Sequence, residues 1–176
     1  PKLIIYLIQG GLIGLIYGAV FQRFGRQLNL YIPAKEPVNI TKRVVVIGGG
    51  YAGVEAAQAL EKELASHPEV GIYLISKTNY LIHTPMLSEV SSSAVNAQNI
   101  SPPLRSFFNR VQVAQGNVTD IDLEKQEVYL MQKSQSVKKK LRFDHLVLTA
   151  GSVPNYFGNA DIERQALPFK TLGDAI

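Results

Sequence analysis

The run Val44-Val45-Val46-Ile47, followed without a break by Gly48-Gly49-Gly50-Tyr51-Ala52-Gly53, constrains this chain more than any other feature. Consecutive β-branched residues suit a strand buried on both faces. Downstream, Gly53, Ala56, Ala57, Leu60 and Leu64 fall on one helical face, while Glu55, Gln58, Glu61 and Lys62 face away. Pro68 ends that helix, and Gly71-Ile72-Tyr73-Leu74-Ile75 forms a second strand. The expected unit is β-α-β, with parallel strands and a right-handed crossover.

A Gly-x-Gly-x-x-Gly match on its own is weak, but between a strand and a helix it has a mechanism. Gly48 allows the tight turn, Gly50 lets the backbone meet a diphosphate, and Gly53 lets helix and strand pack closely. Unpaired amides at the helix start, at the positive end of its dipole, favour that anion. The second strand of such a site usually ends in an acid that holds ribose hydroxyls. Here Ser76 stands there, followed by Lys77. Serine can still hydrogen-bond a hydroxyl, and Lys77 could favour a 2′-phosphate. The motif therefore indicates a dinucleotide and leaves FAD and NAD(P) open.

The rest of the chain divides into recognisable stretches. Residues 3–21 carry no charge, and about 20 apolar residues span a bilayer. Gly10, Gly14 and Gly18 share one helix face, as in close-packed membrane helices. Arg23, Arg26, Lys35, Lys42 and Arg43 follow, which places the remainder on the cytoplasmic side. The expected organisation is a membrane helix over 1–24, a linker over 25–42 containing Pro33 and Pro37, and the nucleotide-binding part over 43–176. Short helices are expected around Met86 to Ser92 and Leu104 to Phe108, and a strand at Val111-Gln112-Val113-Ala114. The alternation from Val118 to Gln132, joined by Leu141 to Phe143, suggests a small antiparallel meander, with Lys138-Lys139-Lys140 in a solvated turn. Leu146-Val147-Leu148-Thr149 is a further buried strand. Near the end, Thr171 and Asp174 have capping-box spacing. Both ends read as cut, as in a fragment of a longer protein.

Composition excludes several functions. With 46% apolar and 18% charged residues the chain can bury a core, and its net charge of +4 is too diffuse for nucleic acid. There is no cysteine, hence no disulfide, thiolate metal site or cysteine nucleophile. His67, His83 and His145 lie far apart in sequence, without metal-ligand spacing.

Beyond the glycine motif, Asn79-Tyr80-Leu81-Ile82-His83-Thr84-Pro85-Met86-Leu87-Ser88-Glu89-Val90 resembles the loop after the second strand in type II NADH:quinone oxidoreductases. Asp144-His145-Leu146-Val147-Leu148-Thr149-Ala150-Gly151-Ser152 is similar to that family's Ala-Thr-Gly strand end, with Thr149-Ala150-Gly151 in its place. Asn155-Tyr156-Phe157-Gly158 and Leu167-Pro168-Phe169-Lys170-Thr171-Leu172-Gly173-Asp174-Ala175-Ile176 match the next segments. The resemblance implies the front of an α/β, Rossmann-like FAD domain, incomplete at its C-terminus. It implies that Gly48, Gly50, Tyr51, Ala52 and Gly53 hold the FAD diphosphate, with Ser76 and Lys77 at the ribose. Thr84 and Pro85 would lie beside the isoalloxazine, or form a plain turn. Val118 would lie near the adenine, or be a core strand residue, and Ala150 and Gly151 would close over the cofactor.

The implied reaction is hydride transfer from NAD(P)H through FAD to a quinone, at a membrane, by an enzyme with room for a homodimer. NAD(P)H would bind through a region not in this chain. No catalytic acid or base is required, and none is named. A flavin-dependent disulfide reductase needs a cysteine pair that these residues lack. A sulfide:quinone oxidoreductase, or a non-enzymatic FAD-binding redox protein similar to relatives of apoptosis-inducing factor, remains an alternative.

Overall fold

A computed structural model describes residues 39–131 and 138–176, all of which fall within the compact unit Lys35–Ile176. The proposed membrane segment at 3–21 and the linker up to residue 38 lie outside the described residues. Among those described, no helix is long and apolar enough to cross a membrane.

Strand β1 (Lys42–Ile47) starts two residues before the expected run Val44–Ile47, and its last four residues are buried. Helix α1 (Tyr51–Glu63) follows, then β2 (Val70–Ser76). β1 and β2 pair in parallel, with Val46 opposite Leu74. β3 (Gln112–Gln115) joins the far side of β2, and the last strand, β7 (His145–Leu148), joins β1 on its other side. The resulting order is β3-β2-β1-β7, all parallel. The chain thus winds outward from β1 in one direction and returns to its opposite edge. The Asp144 amide donates to the Arg43 carbonyl at 2.9 Å and the Asp144 carboxylate accepts from the Arg43 amide at 2.6 Å, which pins the entry of β7.

β1 and β2 are buried on both faces, and each face has its own cover. Val46, Ile72 and Leu74 pack with Val54 and Ala57 of α1 and with Leu104, Phe108 and Val111. Val45, Ile47 and Ile75 pack against Val128 and Leu130 of a second sheet and against Phe143, which directly follows it. That sheet is the expected antiparallel meander, β4 (Asn117–Asp122), β5 (Glu127–Met131) and β6 (Lys138–Arg142). The fold is therefore α/β and Rossmann-like, with helix, parallel sheet and meander in layers.

The lysine run differs from expectation. Lys139 and Lys140 belong to β6, opposite Leu130 and Tyr129, rather than to a turn. β6 faces solvent there, so a lysine costs no desolvation, and the Lys140 ammonium meets Glu127 at 2.9 Å. β7 differs too: it is the edge strand of the sheet among the described residues, and Leu148 at its end is 62% exposed.

Residues 76–109, which lack periodicity, are organised by backbone bonds and 3₁₀ turns. Leu81 donates to Pro102, His83 to Ile100 and Leu104 to Asn79, at 2.8 to 3.0 Å. The expected helix around Met86 resolves into a 3₁₀ turn, Thr84–Met86, and the short helix α2 (Leu87–Ser91). The second is a 3₁₀ turn, Leu104–Phe107. A small satellite core of Leu87, Val90, Ile100 and Ala175 ties this stretch to the final residues. Arg110 secures the end of α1: its guanidinium donates to the carbonyls of Leu64, His67 and Val70, and its amide to Glu61.

A candidate dinucleotide cleft at the strand ends

The carboxyl ends of β1, β2 and β7 meet where the strand order reverses, the place where open α/β sheets bind ligands. A cleft of about 260 Å³ opens there. It brings together the glycine turn from Gly48 to Gly50, the β2 end at Ser76 and Lys77, and the β7 end from Thr149 to Gly151.

Each glycine is glycine for a different reason. Gly48 has φ +115°, and a Cβ on it would lie 2.1 Å from the Thr149 carbonyl oxygen. A Cβ on Gly53 would lie 1.8 Å from the Gly48 carbonyl oxygen. These two positions are fixed by the protein's own backbone. Gly50 is not: its φ is −81°, which any residue adopts, and a Cβ there meets nothing within 4 Å. Internal packing gives no reason for glycine at that position, whereas a ligand lying against the backbone does.

Gly50 is also the N-cap of α1, and no side chain caps the helix or places an acid in its first turn. The first intrahelical bond runs from Val54 to Gly50 at 3.0 Å. The amides of Tyr51 and Ala52 precede it, at the positive end of a helix of 13 residues, and can serve an anion. Lys77 is exposed and is the one charged side chain among the residues lining the cleft.

Ser76 is 5% exposed, and its hydroxyl accepts from the Thr78 amide at 3.3 Å. It lies against Gly49, where a Cβ would come within 2.3 Å of Oγ. A longer acidic side chain could not sit in this inward pose. Gly151 has φ +75° and, with Ala150, forms the exposed wall opposite.

Gly48, Gly50, Ser76, Lys77, Ala150 and Gly151 are therefore brought together, with Tyr51, Ala52 and Gly53 opening the adjoining helix. Thr84 and Pro85 form an exposed turn outside the lining. Val118 pairs with Leu130 and packs against the Val128 core, as the core-strand alternative describes. Its strand nevertheless starts beside the cleft, because Gly116 donates to the Ser76 carbonyl at 2.8 Å.

Sequence reasoning missed three participants. Thr149 donates through its hydroxyl to the carbonyls of Ile47 at 2.8 Å and Gly48 at 3.2 Å, clamping the first turn. Gly49 needs its missing Cβ because Ser76 and Leu104 press on it. His83 contacts Tyr51, its ring nitrogen Nδ1 lying 2.6 Å from the phenol oxygen. Contacts across so many residues leave no local pattern in a sequence.

Residues 42–175 match the family model of the pyridine nucleotide-disulphide oxidoreductases. The chain is 35% identical over 137 residues to the type II NADH:quinone oxidoreductase NdhA of Mycobacterium tuberculosis, covering 76% of this chain and 28% of the relative. It thus spans under a third of the length of the curated relatives it matches. Among solved structures, NDH2 from Plasmodium falciparum in complex with NADH superimposes with a TM-score of 0.66 at 22% identity, over 76% of this chain and 27% of that one. The sulfide:quinone oxidoreductase of Aquifex aeolicus does so at 0.62 with 28% identity, over 77% and 30%.

Proposed function

The chain belongs to the pyridine nucleotide-disulphide oxidoreductase family, and on that premise we propose that it is the FAD-binding portion of a type II NADH:quinone oxidoreductase. The observation that carries the reading is Gly50: a glycine that the fold does not require, at an uncapped helix start, facing an open cleft. The 35% identity to a type II NADH:quinone oxidoreductase narrows the choice within the family.

FAD held here would pass electrons from NAD(P)H, bound through a region outside this chain, to a quinone. The residues bind, orient and shield. Gly48, Gly50 and Gly53 shape the turn, and the Tyr51 and Ala52 amides hold the diphosphate. Ser76 and Lys77 stand at the ribose. With the acid absent, Lys77 adds an attraction for phosphate oxygens that a carboxylate would oppose. Thr84 and Pro85 lie beside the isoalloxazine. Val118 lies near the adenine, at the junction of β2 and β4. Ala150 and Gly151 close over the cofactor from β7.

The same reading places the protein at a membrane through residues 3–21, with the nucleotide-binding part on the cytoplasmic side, and as a homodimer. The uncharged run and the arginines after it support the first two.

The purified protein should carry or take up FAD, with the blue absorption of oxidised flavin. Gly50→Val should abolish binding, because a branched side chain would fill the space left for the diphosphate. Full occupancy in that variant would refute the site. Reduction of the bound flavin by sulfide but not by NADH would move the assignment to the sulfide:quinone branch.

A further inference from the structure

Tyr51 is the first residue of α1, directly after Gly50, and is 46% exposed. Its hydroxyl lies 2.6 Å from His83 Nδ1, and the two rings meet edge to face with centroids 6.2 Å apart. A polar contact between exposed side chains 32 residues apart normally loses to water, because ordering two side chains costs entropy. Here one partner is held in advance. The His83 amide donates to Ile100 at 2.8 Å and its carbonyl accepts from Met86 at 3.0 Å, so the backbone on either side of the ring is fixed.

The neighbours of the two residues give the contact its meaning. Gly50 and Ile82, each adjacent to one of the pair, both line the cleft. Thr84 and Pro85 follow His83 directly. The contact therefore joins the helix start, where an anion would be gripped, to the turn that carries Thr84 and Pro85. Internal packing alone does not call for it, since neither ring belongs to a buried cluster.

We infer that Tyr51 and His83 form a strap along the flank of the cleft that positions the 81–85 loop against the flavin half of the dinucleotide. This rests on the FAD reading above. The strap is a positioning device: neither residue need touch the reacting atoms. It should act on ligands long enough to reach the loop and leave shorter ones unaffected.

FAD and ADP distinguish the two cases, because ADP carries the adenosine and diphosphate but no flavin. Binding of both would be measured by titration for the purified wild-type protein, Tyr51→Phe, His83→Phe and the double variant. Each single variant keeps a ring and loses the hydrogen bond. Each should weaken FAD about tenfold, the scale of one lost hydrogen bond, and His83→Phe, which alters no residue assigned to the diphosphate, should leave ADP within about twofold. The double variant should be no weaker than the worse single one, because both changes remove the same link. Equal weakening of FAD and ADP by His83→Phe would mean a purely structural role and would overturn the inference. So would unchanged FAD binding, or full additivity. Wild-type protein that binds ADP but no FAD would instead remove the reading on which the strap rests.

Discussion

At the scale of single residues, glycines that look alike in a motif answer to different masters. Gly53 is demanded by the Gly48 carbonyl, 1.8 Å from where its Cβ would be, and Gly50 by nothing in the protein. Gly53→Ala must push α1 off the turn and should cost about 1–3 kcal/mol, as overpacking does. Gly50→Ala should cost at most about 1 kcal/mol, the N-cap preference for glycine over alanine, yet weaken FAD. Urea unfolding of the flavin-free protein, beside FAD titration, would read both. If Gly50→Ala proved as destabilising as Gly53→Ala, the empty space at Gly50 would not be a ligand's. The motif alone signalled both glycines, since spacing encodes turn and helix. It could not signal that Thr149 or His83 belongs beside them, because those contacts depend on where later segments return. Ser76 was legible as a place but not as a pose: the sequence marks the strand end, whereas its burial against Gly49 follows from packing.

Elements were legible where pattern and burial coincide. β1, α1 and β2 emerged within one residue at most strand ends because buried faces impose their periods. β6 did not, since an exposed strand selects against no lysine. The last segment carried a local signal that survived. Thr171 and Asp174 form the capping box expected from their spacing, around the 3₁₀ turn Leu172–Asp174. The amides of Thr171 and Lys170 hold the Asp174 carboxyl below its ordinary value. A lowered folded-state value means that the cap's contribution is present above the unfolded value, near 3.9. It is lost as pH falls through the lower folded one. The amide signals of Lys170 and Thr171 should accordingly hold steady down to about pH 4 and shift below it. In Asp174→Ala that acid transition should vanish from both amides. A transition above the ordinary carboxylate range would mean that another group controls the turn. Because Ala175 packs with Leu87, Val90 and Ile100, release of this turn should also loosen the 82–100 loop.

At the scale of the whole molecule, one candidate nucleotide site is what the described residues supply. The chain holds one Gly-x-Gly-x-x-Gly motif, at Gly48 to Gly53, and the proposed reaction needs a place each for FAD and NADH. The cleft that motif builds lies at the single reversal of strand order in the parallel sheet. β7, which leads into the wall at Thr149 to Gly151, has only β1 as a neighbour among the described strands, and Leu148 on it is 62% exposed. Val153, Phe157 and Leu167 beyond it are more than four-fifths exposed, at 82%, 91% and 93%. So much exposed apolar surface beside the cleft leaves that side of it with little packing to hold it, and ligand affinity falls when the binding-competent arrangement is only part of the population. The 176 residues alone should therefore hold FAD weakly and fail to oxidise NADH with a quinone. A steady-state assay of this chain with added FAD, NADH and a soluble quinone decides the matter. Turnover should stay far below the median enzyme rate of about 10 per second, while flavin binding remains detectable at high FAD. Turnover near that rate would place a nicotinamide site within these residues, and the first place to look would be the exposed apolar flank beside β7.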